Sequence, residues 1–187
     1  MEINRMSNSE LTQIQIETPS LIVRNLLVED VTKDYAEWLN DPQVNQYLSI
    51  NSAQTKESCI EYVQSFENRK DSLILGLFIK DKNVHIGNIS ISMINIPNRT
   101  AWIGISIGRK EYWGKGLAKE ALISTITYLF NNSVIHTINA GVTVNNLSSV
   151  NLFIKSGFKI VGLLKESSMV NGKYEDSYVL TVLESDI

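Results

Sequence analysis

The chain of 187 residues holds one cysteine, three prolines and two histidines. A single thiol excludes an internal disulfide, and Cys59, inside the helical-looking residues 55–66, reads as a structural thiol and not a nucleophile. His85 and His136 are far apart in sequence and lack ligand-spaced companions, so no metal is expected. Basic residues do not dominate either. The chain has 17 Lys and Arg against 20 Asp and Glu, a net charge of -3, and no basic stripe of the kind nucleic acid demands. No apolar run approaches the length of a membrane span, and the polar residues 1–9 lack the hydrophobic centre of a signal peptide. Neither a membrane nor a nucleic acid is therefore expected as a partner, and the expected compartment is the cytoplasm.

With 43% hydrophobic and 20% charged residues, the chain is long enough to bury one substantial core. Residues 1–19 show no strong period and are expected as an N-terminal extension, either a flexible tail or a strand added by a partner subunit. Residues 20–187 are expected to form one domain. Within it, residues 30–39 and 55–69 have helical spacing, while 21–26, 73–80 and 84–96 read as strands. Pro97-Asn98-Arg99 then turns the chain into a further strand. Near the end, residues 158–168 and 174–183 flank Asn171-Gly172, a strong signal for a tight primed hairpin turn.

The most informative segment is Arg109-Lys110-Glu111-Tyr112-Trp113-Gly114-Lys115-Gly116-Leu117-Ala118. Before it, Ile103, Ile105 and Ile107 alternate with Trp102, Gly104 and Ser106, the period of a strand. After it, Leu117, Ala121, Leu122, Ile126, Leu129 and Phe130 recur at helical spacing. A helix starting at about Gly114 would leave its first N–H groups unpaired at the positive end of its dipole, a site for anionic oxygens. Gly114 and Gly116 permit positive φ and close approach of a phosphate. Arg109, Lys110, Lys115 and Lys119 supply positive charge around the turn. An ordinary strand-to-helix turn with a solvated basic face accounts for the same residues. Two better-known phosphate loops do not. Five residues separate Gly108 from Gly114 and Gly116 follows Lys115, which excludes a P-loop; Lys119 stands where a dinucleotide fingerprint needs a small residue.

The segment instead resembles motif A of the GNAT acetyltransferase superfamily: Gln or Arg, two residues, Gly, one residue, then Gly or Ala. Gly116 and Ala118 fit, and Trp113 takes the place of the usual Gln or Arg. Tyr112-Trp113-Gly114-Lys115-Gly116, with Ala118 and Glu120-Ala121, is similar to the branch that contains ribosomal-protein N-terminal acetyltransferases and many small-molecule and nucleotide-sugar N-acetyltransferases. Asn146-Leu147-Ser148-Ser149, followed by Lys155-Ser156-Gly157-Phe158, is similar to the family's second motif. Asn146 serves equally well as a helix cap, with Gly157 ending that helix. A weaker match covers Trp38-Leu39-Asn40-Asp41-Pro42 with Val44 and Tyr47, so the resemblance runs over about residues 21–183.

The resemblance implies an α/β (α+β) fold, a mixed central sheet of about seven strands with helices on both faces. In it the strand of Ile105 and Ile107 splays from the strand of Ala140 and Val142, and the pantetheine arm of coenzyme A fills the gap. It implies acetyl-CoA as cosubstrate, held by Ile105, Ile107, Trp113, Gly114, Lys115, Gly116, Leu117, Ala118, Asn146 and Lys155. The implied reaction is direct attack of a primary amine on the thioester, with a backbone N–H near Ile107 meeting charge on the carbonyl oxygen.

Many members protonate the leaving thiolate with a Tyr four residues before the Gly of Gly-Phe, a position held here by Phe153. Ser149, one turn earlier, is the remaining donor, unless it is an ordinary helix hydroxyl bonded to its own backbone. Asn146 is a partner for pantetheine amides or the anchor of Ser149. Glu111, His85 and Glu166 are candidate bases beside water, and Trp102 stands where some relatives have an acidic residue. In relatives the loop after the first helix and the last hairpin frame the acceptor, which nominates Asn40, Asp41, Tyr47 and Tyr174, with Glu175 and Asp176. The run Asn40 to Tyr47 resembles GNAT proteins that acetylate amino sugars. An amino sugar or other small amine is therefore expected ahead of a protein N-terminus such as that of a ribosomal protein. A non-catalytic acetyl-CoA-binding module is the third reading, and monomer and homodimer are both compatible with the sequence.

Overall fold

The computed structural model describes residues 13–48, 50 and 52–187. Among these residues eight strands form one sheet: β1 (Gln15–Glu17), β2 (Leu21–Asn25), β3 (Leu73–Ile79), β4 (Val84–Asn95), β5 (Thr100–Ile107), β6 (Thr137–Thr143), β7 (Lys159–Val170) and β8 (Lys173–Leu183). Their order across the sheet is β1-β2-β3-β4-β5-β6-β8-β7, and every pair is antiparallel except β5 with β6. Five α-helices join them: α1 (Lys33–Leu39), α2 (Pro42–Asn45), α3 (Lys56–Gln64), α4 (Leu117–Asn132) and α5 (Leu147–Lys155).

Strand alternation divides the helices between the two faces. On β3, Leu75 and Leu77 join a cluster with Leu122, Ile126 and Leu129 of α4 and with Val150 and Phe153 of α5. Ile74 and Phe78 point the other way, to Tyr35 and Trp38 of α1 and Cys59 and Val63 of α3. Each fully buried Leu or Ile contributes about 1.5–3 kcal/mol, so both clusters hold the helices firmly. Ile103 belongs to the α4 face, and the opposite face of β5 carries Trp102, Gly104 and Ser106, as its period of two predicts.

The parallel pair carries the functional geometry. Rungs join Thr100 to Thr137, Ala101 to Ile138 and Trp102 to Asn139, and beyond them β5 and β6 diverge. Beyond that point β5 stays paired to β4 through Ile105↔Ile89 and Ile107↔Gly87, while β6 stays paired to β8 through Thr143↔Ser177. The result is the splay that the resemblance implies.

Several sequence expectations need correction. The sheet has eight strands where about seven were expected, the additional one being Gln15–Glu17, which pairs along β2 of the same chain. Asn25 fixes that edge by accepting from Ile14 N at 2.7 Å and donating its own N–H to Ile14 O at 3.2 Å. The alternation Ile14, Ile16, Thr18 was the available signal, too short to register beside an otherwise polar start. Residues 1–12 of the expected extension lie outside the described residues. The first helix begins at Lys33 and not at residue 30, because Thr32 caps Tyr35 N while Asp30 takes both guanidinium nitrogens of Arg24 at 2.7 Å. At the far end, Asn171 (φ 50°) and Gly172 (φ 75°) form the primed turn read from the sequence.

Candidate active site

The cradle is built from backbone. After β5 the chain makes a 3-10 turn at Lys110–Tyr112, and Gly114 (φ 71°) and Gly116 (φ 78°) take left-handed conformations that admit few residues other than glycine. A helix cannot pass through such residues, so α4 starts at Leu117 and not at Gly114. The first intrahelical bond runs from Glu120 N to Gly116 O, which leaves the N–H groups of Leu117, Ala118 and Lys119 ahead of the ladder. The missing Cβ atoms of both glycines point into open space. Together these leave unpaired amides at a helix N-terminus, an arrangement able to receive an anion.

The four cations expected around it divide into two pairs. Arg109 turns away: Nη2 meets Asp34 of α1 at 2.7 Å and Nε donates to His85 O at 3.0 Å. Lys110 reaches Asp41 at 2.5 Å. Among the described residues neither Lys115 nor Lys119 joins an ion pair, and Lys115 Nζ stands 5.1 Å from the Tyr112 ring centroid. Trp113, in the place of the motif's usual Gln or Arg, donates its indole N–H to Ile107 O at 2.8 Å. The indole thus pins the loop to the end of the splayed strand. Glu120 is a contributor the sequence reading missed. It accepts from Thr18 Oγ1 at 2.6 Å and Ser20 N at 2.7 Å, anchoring the first turn of α4 to a segment 100 residues away. Burial pushes its carboxyl pKa up, but these hydrogen bonds outweigh that and hold it below the ordinary value.

Ile105 and Ile107 are half-buried on the splayed part of β5, beside the cradle. Across the gap, Asn146 caps α5, its Oδ1 accepting from Ser149 N at 3.2 Å and Ser148 Oγ at 3.0 Å. Ser149 is half-buried. Among the described residues nothing accepts from its hydroxyl, whereas Ser156 Oγ bonds back to Leu152 O at 2.8 Å on the same helix. Phe153 is buried edge-on against Phe158, centroids 4.9 Å apart. Lys155 is exposed in the last turn of α5.

The residues expected on the acceptor side meet around the β6–α5 loop. Tyr47 donates its hydroxyl to Asn145 O at 3.3 Å, and Asn145 Nδ2 donates to Glu175 at 2.9 Å. The loop after α1 and the last hairpin therefore converge on one asparagine that the sequence reading did not single out. Tyr174 is exposed on β8. Asn40 and Asp41 have structural tasks: Asn40 clasps Gln54 through two bonds of 2.8 and 2.7 Å, and Asp41 caps α2. The hydrogen bond from Lys110, with that from Gln43 N, lowers the pKa of Asp41. Asp176 is likewise held below its ordinary value by Lys165 and by Glu166 N.

None of the three candidate bases lies in the gap. His85 is packed among Tyr35, Trp38 and Phe78 at centroid distances of 5.3, 5.7 and 5.0 Å. Its Nε2 faces Gly87 O and Asn88 Oδ1 at 2.9 and 2.8 Å, so that nitrogen carries the proton. Burial drives its pKa below the usual imidazole value, and the ring is neutral at pH 7. Glu111 pairs with Arg109 at 3.5 Å. Glu166 is exposed on a bulge of β7 with φ 49°, its N–H bonded to Asp176. No group of three His, Cys, Asp or Glu suited to a metal occurs among the described residues, and no described helix is long and apolar enough to cross a membrane.

Comparison with known proteins accords with this geometry. Residues 20–159 match the family model described as acetyltransferase (GNAT) domain. The uncharacterized N-acetyltransferase p20 of Bacillus licheniformis is 27% identical over 172 residues, 90% of this chain and 96% of that protein. The [ribosomal protein uS5]-alanine N-acetyltransferase of Escherichia coli is 32% identical over 122 residues, 65% of this chain and 62% of that one. The spermidine N-acetyltransferase of Vibrio cholerae, in complex with CoA and spermine, superposes with a TM-score of 0.81 at 24% identity, covering 90% of this chain and 98% of its own. With a matching family model over most of its length, and with the cradle and splay that the motifs imply, the chain belongs to the GNAT acetyltransferase family.

Proposed function

We propose that the protein transfers an acetyl group from acetyl-CoA to the primary amine of a small molecule, an amino sugar by preference. The observation that carries this reading is continuity: the free amides of Leu117, Ala118 and Lys119 lie at the end of the strand that parts from β6 after Trp102. A ligand with a pyrophosphate at one end and a thioester on a long narrow arm fits both. Gly114, Lys115, Gly116, Leu117 and Ala118 hold the pyrophosphate, and Trp113 fixes the loop. Ile105 and Ile107 flank the arm, Asn146 shapes the opposite wall, and Lys155 offers a cation at the end of α5.

In the reaction the amine nitrogen bonds to the thioester carbonyl carbon, the C–S bond breaks, and the thiolate takes a proton. Ser149 is the donor in this reading because its hydroxyl is not engaged by its own helix. The acceptor's proton passes to water, since His85 is buried and Glu111 and Glu166 point elsewhere. Tyr47 and Tyr174 frame the acceptor, with Glu175 held between them through Asn145. Asn40 and Asp41 act behind them by fixing the loop.

A protein N-terminus is the second reading, favoured by the 32% identity to the uS5-alanine enzyme. Released thiol, followed with acetyl-CoA against amino sugars, spermidine and Ala-starting peptides, decides between them. Turnover of a sugar amine supports the first reading and turnover of a peptide the second. Binding of CoA with no turnover on any amine identifies a non-catalytic module.

A further inference from the structure

Helices α4 and α5 pack on one side of the sheet, and in the acetyl-transfer reading the amine approaches the splay from the other side. On that other face, where the strands part, stands Trp102. It forms the last rung with Asn139, and its ring leans across to β6, where Cζ3 lies 3.6 Å from the place a Cβ on Gly141 would take. The indole therefore spans the crotch of the splay. It is half-buried and belongs to neither hydrophobic cluster. Among the described residues its Nε1–H has no acceptor, yet it is not sealed from solvent. Trp113 differs, with its N–H held by Ile107 O.

The rungs beside it are polar and uncharged, while Val179 and Glu175 follow along the same face of β8 and Lys159 lies opposite Thr181. Register and alternation place Ser90, Ser92, Gly104, Asn139, Gly141 and Thr181 on the face of Trp102. Thr181 Oγ1 donates to Asn139 Oδ1 at 2.6 Å, which leaves the Asn139 NH₂ available as a donor. A Cβ on Gly104 would lie 3.0 Å from Ser90 Oγ, so glycine keeps this rung low and Ser90 unhindered.

We infer that the Trp102 indole is the platform on which the acceptor lies, and that it selects a hydroxyl-bearing ring with one amine, an amino sugar, over a polycation. This rests on the acetyl-transfer reading above. An aromatic face takes the C–H side of a pyranose by apolar contact, while the free indole N–H and the Asn139 amide meet ring hydroxyls. A polyamine would gain cation–π attraction from the same ring, but no carboxylate stands on the rungs beside it, and Glu175, further along the same face of β8, already accepts from Asn145 Nδ2.

The test is calorimetric titration of the CoA-loaded protein with D-glucosamine, with methyl 4-amino-4-deoxyglucoside and with spermidine. At least one sugar should bind, Trp102→Ala should weaken it about tenfold, and Trp102→Phe should restore it to within about threefold. CoA affinity equal to wild type in both variants shows that the fold is intact. Sugar binding unchanged in Trp102→Ala, no binding of either sugar, or spermidine binding more tightly than both, overturns the platform. Trp102-dependent sugar binding without thiol release from acetyl-CoA would uphold the platform while removing the transfer reading.

Discussion

The cradle at the start of α4 and the acceptor side around Asn145 are assembled in opposite ways. The cradle is ten contiguous residues whose work is done by backbone amides and two left-handed glycines. The proposed acceptor side joins Tyr47 to Asn145 across 98 residues, hydroxyl to backbone carbonyl, and Asn145 to Glu175 across 30, side chain to side chain. In the proposed reading the shared cosubstrate is gripped by backbone, which any sequence keeping the glycines and the helix start supplies. The acceptor is framed instead by these long-range contacts.

Changing the two regions separately should therefore give different signatures. The largest effect is expected from Gly116→Val, because a β-branched residue at φ 78° is strained and would displace the turn that starts α4. CoA affinity should fall on the order of a hundredfold by calorimetry. Ser149→Ala is next. With the proposed proton donor of the thiolate removed, kcat should fall by roughly 10²-fold at unchanged CoA affinity, while Ser148→Ala, whose hydroxyl only bonds Asn146, should be near neutral.

The third effect is on stability. The native pKa of His85 lies below the 6.5 of the free side chain, so on acidification the unfolded chain takes up this proton first. Stability should then fall with decreasing pH below 6.5, by at most about 1.4 kcal/mol per unit, until the native ring also titrates. Chemical denaturation across that range checks it, and His85→Gln should flatten the slope. The smallest effect is Tyr47→Phe, which removes one 3.3 Å hydrogen bond. The acceptor KM should rise about threefold with CoA affinity untouched.

Legibility followed the same division. The alternation of Ile103, Ile105 and Ile107, the cap at Asn146 and the turn at Asn171-Gly172 are local devices, and each was readable because its cause lies within a few residues. The start of α4 was placed three residues early because Gly114 was read as a helix start, when two left-handed glycines in succession delay the first turn. The directions of Arg109 and Lys110 were not readable, since their partners Asp34 and Asp41 lie on α1 and at the start of α2. The Thr18–Glu120 anchor and the Asn145 junction were missed for the same reason: composition says that such groups exist, and only the fold says that they meet.

The most direct test of the central claim, that the glycine cradle binds acetyl-CoA and feeds the splay, is a calorimetric titration of acetyl-CoA into the wild-type protein and the Gly116→Val variant. The account predicts saturable one-to-one binding to the wild type that the variant loses. Absence of binding to the wild type, or equal binding to both, would contradict it.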